Sequence, residues 1–116
     1  LTITGTLFYR APEMFTGGGM IEIDIWAIGV LIYKLVCGKT PFESIYLSDT
    51  INNIKDKSLK FEEEEWKKYD PSLKNLIKRM LKKDKNLRLS ATDCLKDIWF
   101  YSLALNRLVG WTQSYQ

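Results

Sequence analysis

Apolar positions along this 116-residue chain fall into four groups, and the spacing within each predicts a helix. The first group is almost continuous. From Ile23 to Val36 only Asp24 and Lys34 are charged, the pattern of a helix buried on every side, though too short and too charged to span a membrane. Gly38 supplies a helix stop and Pro41 reinforces it, so Cys37-Gly38-Lys39-Thr40-Pro41-Phe42 reads as a tight exit loop with Phe42 packing back on the core. The second group, Leu47 to Lys57, is amphipathic, with Leu47, Ile51 and Ile54 on one face and Ser48 or Asp49 as the cap. The third has the clearest period. Asp70 caps it, Pro71 occupies the first turn, and Leu73, Leu76, Ile77, Met80 and Leu81 follow at three- and four-residue spacing, opposite Lys74, Lys78 and Lys82. The fourth is short: Ser90, with Asp93 three residues on, resembles a capping box, and Ala91, Cys94, Leu95 and Ile98 are expected to face inward before Trp99 and Phe100 close the unit. Residues 1–22 carry turn chemistry instead, interrupted by Gly5, Pro12 and the Gly17-Gly18-Gly19 run. No period-two alternation persists and no internal repeat is visible, so an all-α fold is expected.

Composition narrows the classes of function. With 46% hydrophobic and 13% aromatic residues the chain is too apolar for disorder and long enough to bury a modest core. Its 17 basic and 14 acidic residues are interspersed and leave a net charge of only +3, so neither nucleic acid nor a membrane is expected as a partner. The absence of histidine excludes imidazole-based triads and zinc sites with His ligands. Cys37 and Cys94 lack Cys-x-x-Cys spacing and read as reduced core thiols, so no metal site is expected. Glu62 to Glu65 read as a solvated loop rather than a surface for basic peptides. A chain opening on Leu1-Thr2-Ile3-Thr4, without an initiator methionine or a charged-then-apolar leader, reads as a truncated cytoplasmic protein without a signal peptide.

Three motifs carry the functional information. Gly5-Thr6-Leu7-Phe8-Tyr9-Arg10-Ala11-Pro12-Glu13 has the residue types of a ledge that docks an extended peptide. Asp24-Ile25-Trp26-Ala27-Ile28-Gly29 follows it, and Leu87-Arg88-Leu89-Ser90-Ala91 comes much later. An unpaired carboxylate near the start of a buried helix costs several kcal/mol unless donors compensate it, so Asp24 needs partners or the positive end of the helix dipole. Trp26 is expected to fill core volume. Gly17-Gly18-Gly19 lacks the Gly-x-Gly-x-x-Gly spacing, the preceding strand and the following lysine of a phosphate loop, and reads as a flexible loop.

In that order and at those separations the motifs resemble the second half of the large lobe of a eukaryotic protein kinase, from the end of the activation segment to the last helix. The resemblance implies a partial kinase domain at residues 1–100, the C-terminal helical subdomain of that fold, and a tail at residues 101–116. The Gly-Thr-x-x-Tyr form of Gly5, Thr6 and Tyr9 resembles serine/threonine kinases. The run from Leu35 to Phe42, and Trp66 before Leu76-Ile77-x-x-Met80-Leu81, resemble the calmodulin-dependent and calcium-dependent group. By resemblance, Thr6 supports the catalytic loop, Ile3, Gly5, Leu7 and Arg10 shape the substrate pocket, and Tyr9 props the segment from beneath. Asp24 holds catalytic-loop amides, Glu13 and Arg88 form an ion pair pinning the segment to the last helices, and Thr2 and Thr4 stand where activating phosphosites occur.

Two departures loosen the match. Asp84-Lys85 replaces the family's usual Asp-Pro, and Asp97-Ile98 replaces its common His-Pro. The family's Gly-rich loop, nucleotide-contacting lysine, His-Arg-Asp loop and Asp-Phe-Gly motif all precede Ala-Pro-Glu and are not in this sequence. The catalytic, cofactor-binding and metal-binding residues are therefore expected outside it. ATP and Mg2+ would belong to the complete kinase, the partners would be a protein substrate and the rest of the kinase domain, and this piece alone would be inert. Two alternatives stay open: a pseudokinase or scaffold, and a free-standing helical interaction module, which would leave Asp24 and Thr6 without partners.

Overall fold

The structure, a computed structural model, describes residues 7–16, 21–97, 99 and 103. Four α-helices are present among them: α1 (Ile21–Cys37), α2 (Leu47–Asp56), α3 (Pro71–Met80) and α4 (Ala91–Leu95). Single 3-10 turns occur at Pro12–Phe15, Glu64–Lys68 and Lys85–Leu87, and the described residues contain no strand. This is the all-α architecture that the periodicity leads one to expect.

The long helix α1 packs on α3, and this pair is the spine of the fold. In α3, Asp70 accepts a hydrogen bond from the Ser72 amide at 2.9 Å, Pro71 starts the helix without a wasted donor, and Leu73, Leu76, Ile77 and Met80 are buried along one stripe, followed by Leu81. The helices come close together at Gly29. A Cβ added there would lie 2.9 Å from the Leu81 Cδ2 and 3.1 Å from the Met80 Cβ. The Leu81 methyl can rotate away, but the Met80 Cβ is fixed to the α3 backbone. Gly29→Ala is therefore expected to cost about 1–3 kcal/mol through overpacking, outweighing the gain of about 1 kcal/mol in helix propensity. Thermal denaturation of the variant checks this, and a raised Tm would disprove it.

At its other end α1 stops at Gly38, whose φ of +85° places it in the left-handed region while its amide donates to the Lys34 carbonyl at 2.8 Å. The chain then turns back so that Phe42 is buried and stacks on Trp26, with ring centroids 5.8 Å apart. A second aromatic group closes the same end. Trp66, fully buried, packs edge-on against Phe61 at 4.7 Å and tilted against Tyr33 at 4.9 Å.

That aromatic group revises the reading of the acidic block. Glu62, Glu64 and Glu65 are exposed as expected, but Glu63 is half-buried. It pairs with Lys39 at 2.8 Å and accepts a hydrogen bond from the Trp66 indole at 3.2 Å. The Lys39 hydrogen bond, working against burial, holds the Glu63 carboxyl below its ordinary value. Beside it, the Tyr33 hydroxyl donates to the Lys60 carbonyl at 2.7 Å, and burial with the nearby Glu63 charge pushes its pKa well up. One of four like charges is thus a fixed structural group.

Three other expectations need correction. Helix α1 is not buried on every side: Asp24, Ile28, Leu31 and Leu35 lie along one exposed face, because no described element covers it. Helix α2 begins at Leu47 after a Tyr46 cap position that makes no side-chain hydrogen bond, so neither Ser48 nor Asp49 caps it. The Thr50 hydroxyl instead accepts the Ser44 amide at 2.9 Å and fixes the turn into the helix. In α4 the Ser90 hydroxyl accepts the Asp93 amide at 3.1 Å as its spacing suggests, yet only Cys94 faces inward, while Ala91 and Leu95 are exposed. Ile98 lies outside the described residues. Both cysteines are free thiols, Cys94 buried and Cys37 half-buried.

Candidate functional site

Arg88 is the centre of the site. It follows the 3-10 turn at Lys85–Leu87, which Asp84 caps by accepting the Asn86 amide at 2.9 Å, and this turn aims the side chain into the interior. Its guanidinium meets Glu13 through two parallel hydrogen bonds, Nη1 to Oε2 at 2.6 Å and Nη2 to Oε1 at 2.9 Å. The remaining donors are also engaged. Nη1 reaches the Glu22 carbonyl in the first turn of α1 at 2.9 Å, Nε the Lys82 carbonyl at 2.9 Å, and Nη2 the Lys83 carbonyl at 3.4 Å. All five N–H groups of the fork thus have an acceptor, and the guanidinium lies over the Trp26 ring at 5.0 Å. The Arg88 side chain is fully buried, as an arginine can be only when its charge and donors are matched.

The electrostatics follow from this geometry. Burial pushes the Glu13 carboxyl up, and the hydrogen bonds and charge of Arg88 more than offset it, so its pKa lies below the ordinary 4.5. Glu13 therefore stays ionised throughout the neutral range, and the clasp joins the 3-10 turn at Pro12–Phe15, the start of α1 and the segment after α3.

The peptide-docking residues lie just before Glu13. The Arg10 amide donates to the Leu7 carbonyl at 3.1 Å, closing a turn whose Leu7 is buried. Tyr9 is half-buried against the core, with the Lys34 ammonium 6.0 Å from its ring centroid. Arg10 is half-buried, and its Nε is buried without a hydrogen-bond partner among the described residues. The other expected members of this site, Thr2, Ile3, Thr4, Gly5 and Thr6, lie outside the described residues, as does the Gly17-Gly18-Gly19 run.

Asp24 sits in the first turn of α1, exposed and without a hydrogen-bond partner among the described residues. It borders an open cleft of about 700 Å³ whose apolar floor includes Ile25, Ile28 and Leu89. Trp26, by contrast, is fully buried, stacked on Phe42, with its indole N–H unpaired among the described residues. Sequence reasoning missed two groups, Lys83 beside the clasp and Glu63 at the opposite end of α1. Each sits in a run of charged residues with nothing in the sequence to distinguish it from its neighbours.

No group of three or more Asp, Glu, Cys or His comes together among the described residues that could hold a metal ion.

Comparison with known proteins accords with this geometry. The protein kinase domain family matches residues 1–100. Calcium-dependent protein kinase 27 of Arabidopsis thaliana is 36% identical over 97 residues, covering 84% of this chain and 20% of that protein. Calcium-dependent protein kinase 3 of Plasmodium yoelii yoelii is 35% identical over 99 residues, covering 85% and 18% respectively. The chain thus spans about a fifth of the length of these relatives. Among solved structures, the twitchin kinase region from C. elegans superposes with a TM-score of 0.77 at 28% identity, over 84% of this chain and 18% of that one. With a matching helical fold, and with its family match extending from the first residue through the Arg88 clasp, the chain belongs to the protein kinase domain family.

Proposed function

We propose that this chain is the C-terminal part of the large lobe of a serine/threonine protein kinase resembling the calcium-dependent group. In its complete form that kinase transfers the γ-phosphate of ATP to protein Ser and Thr hydroxyls. Residues 1–100 form the kinase-domain portion and residues 101–116 a tail. The chain contributes substrate docking and a structural platform. Groups outside it hold ATP and Mg2+ and supply the catalytic base. The observation that carries this reading is the five-donor Arg88 clasp, which anchors the segment bearing Leu7, Tyr9 and Arg10 to the helical core. A segment so anchored can present a ledge to an extended peptide and fix the position of the residue after the phosphoacceptor.

The remaining site residues have roles in the same scheme. Thr6 supports the catalytic loop, with Ile3 and Gly5 beside it shaping the pocket, and Thr2 and Thr4 are candidate phosphosites. Asp24 awaits the amides of the catalytic loop, and the exposed stripe of Ile28, Leu31 and Leu35 receives the rest of the domain. No described helix is long and apolar enough to cross a membrane. The proposed location is the cytoplasm, and neither nucleic acid nor membrane is among the proposed partners.

Two measurements test this. The 116-residue chain with magnesium-ATP is expected to incorporate no phosphate into any peptide above a heat-killed control, and activity there would refute the division of labour. In the complete protein, Thr6→Ala should reduce turnover far more than nucleotide affinity, with Thr6→Ser milder because the hydroxyl is retained. Unchanged turnover in a folded Thr6→Ala protein would remove the assigned role, and a complete protein inactive before any substitution would favour the pseudokinase or scaffold reading.

A further inference from the structure

Lys83 belongs to none of the motifs above, yet its side chain has one of the most specific environments in the chain. Its Nζ donates to the Ile54 carbonyl at 2.6 Å and to the Asn53 carbonyl at 3.1 Å, both in the last turn of α2. The same nitrogen stands 4.0 Å from the Phe42 ring centroid and 5.7 Å from that of Trp26. Ring faces and the carbonyls at a helix C-terminus all present partial negative charge, and together they make the chemistry that recognises an organic ammonium ion.

The walls of this site are built independently of the lysine. Phe42 and Trp26 stack on one another, and the Asn53 side-chain amide donates to the Phe42 carbonyl at 3.2 Å. The Asn53 carbonyl also accepts the Lys57 amide at 3.0 Å. We propose that Phe42, Trp26 and the carbonyls of Asn53 and Ile54 form an ammonium-binding cage that Lys83 fills from within the same chain, fixing the C-terminal end of α2 on the core.

Surrounding charges bear on its state. Burial brings the Lys83 pKa down to about 8, against a smaller upward pull from Asp56 on α2, so the group in the cage is charged at pH 7. Lys55 on α2, Glu13, Asp84 and Lys85 line the adjoining open cleft. Lys83 is in addition held by its own backbone, whose carbonyl accepts from Arg88 Nη2 at 3.4 Å. One residue thus joins the clasp on one side to α2 on the other. This inference does not depend on the phosphotransfer reading.

The test is amide hydrogen exchange on the full chain at pH 7. Lys83→Ala is expected to speed exchange in the last turn of α2 by about ten-fold or more while leaving α3 unchanged, as a local opening should. The substitution deletes three methylenes and the ammonium, which propylammonium supplies. Added propylammonium should slow the α2 exchange again, whereas 1-propanol at the same concentration should not. Lys83→Met fills the cage with an uncharged chain. It should likewise loosen α2 but show no response to propylammonium, and it decides the matter if the alanine variant fails to fold. Unchanged α2 exchange in the variants, an equal rise across α2 and α3, or rescue by propanol as effective as by propylammonium would overturn the proposal.

Discussion

Replacing Arg88 by alanine should destabilise the protein by roughly 3 to 5 kcal/mol, the range found when one member of a buried ion pair is removed. The size follows from what is left behind. Glu13, 7% exposed, would keep its charge without a counter-ion, and the carbonyls of Glu22, Lys82 and Lys83 would lose a donor each. Arg88→Lys should recover only part of the loss, since one ammonium has three donors and cannot reproduce the two-point contact. A double-mutant cycle with Glu13→Gln, followed by denaturant unfolding, isolates the coupling between the two side chains. A value near the 1 kcal/mol or less typical of exposed pairs would contradict the buried clasp.

The same pair sets a sign for acid stability. The folded pKa of Glu13 lies below its ordinary 4.5, so the folded state binds fewer protons than the unfolded chain in that window. The contribution is complete above the unfolded value and is lost as pH falls through the folded one. Glu13→Gln should flatten that part of the stability-pH curve, and an unaltered acid limb would argue against the assignment.

Trp66→Ala is expected to cost about 3 to 5 kcal/mol by opening a cavity in the aromatic group. The indole is 0% exposed and touches Phe61 and Tyr33, so neither neighbour can fill the space without giving up its own packing. Its loss also removes the N–H donor to Glu63, one of the groups that keep that carboxylate in place. Trp66→Phe should be milder, because it keeps most of the ring volume and loses the hydrogen bond. Denaturant midpoints for the two variants give the comparison. If Trp66→Ala cost under about 1 kcal/mol, the residue would be acting as a surface group and not as core.

Helix α3 was legible because everything that makes it is local: an Asp cap, a Pro at the first turn and one apolar stripe. The existence of α1 was equally legible, but not its exposed face, since near-continuous apolar sequence says how much surface is to be covered and not what covers it. The start of α2 was misread because Ser48 and Asp49 are good caps by type, while the turn was fixed through Thr50 to Ser44. No periodicity connects Glu13 with Arg88. Their pairing came from resemblance, and the three backbone carbonyls that complete the guanidinium shell had no sequence signal at all. Lys83 and Glu63 were hidden for the same reason, since the Asn53 and Ile54 carbonyls and the Lys39 ammonium that hold them lie on segments distant in sequence.

The clasp also has a temporal consequence. Its two side chains are 75 residues apart along the chain, so closing it early would fix a long loop before any nearby contact repaid the entropy lost. Local helices and the α1–α3 packing can form first, leaving the arginine fork to close on an arrangement already in place. A contact made that late is absent from the barrier to folding and present in the barrier to unfolding. The clasp should therefore act as a brake on opening, governing how long the native state lasts more than how quickly it is reached.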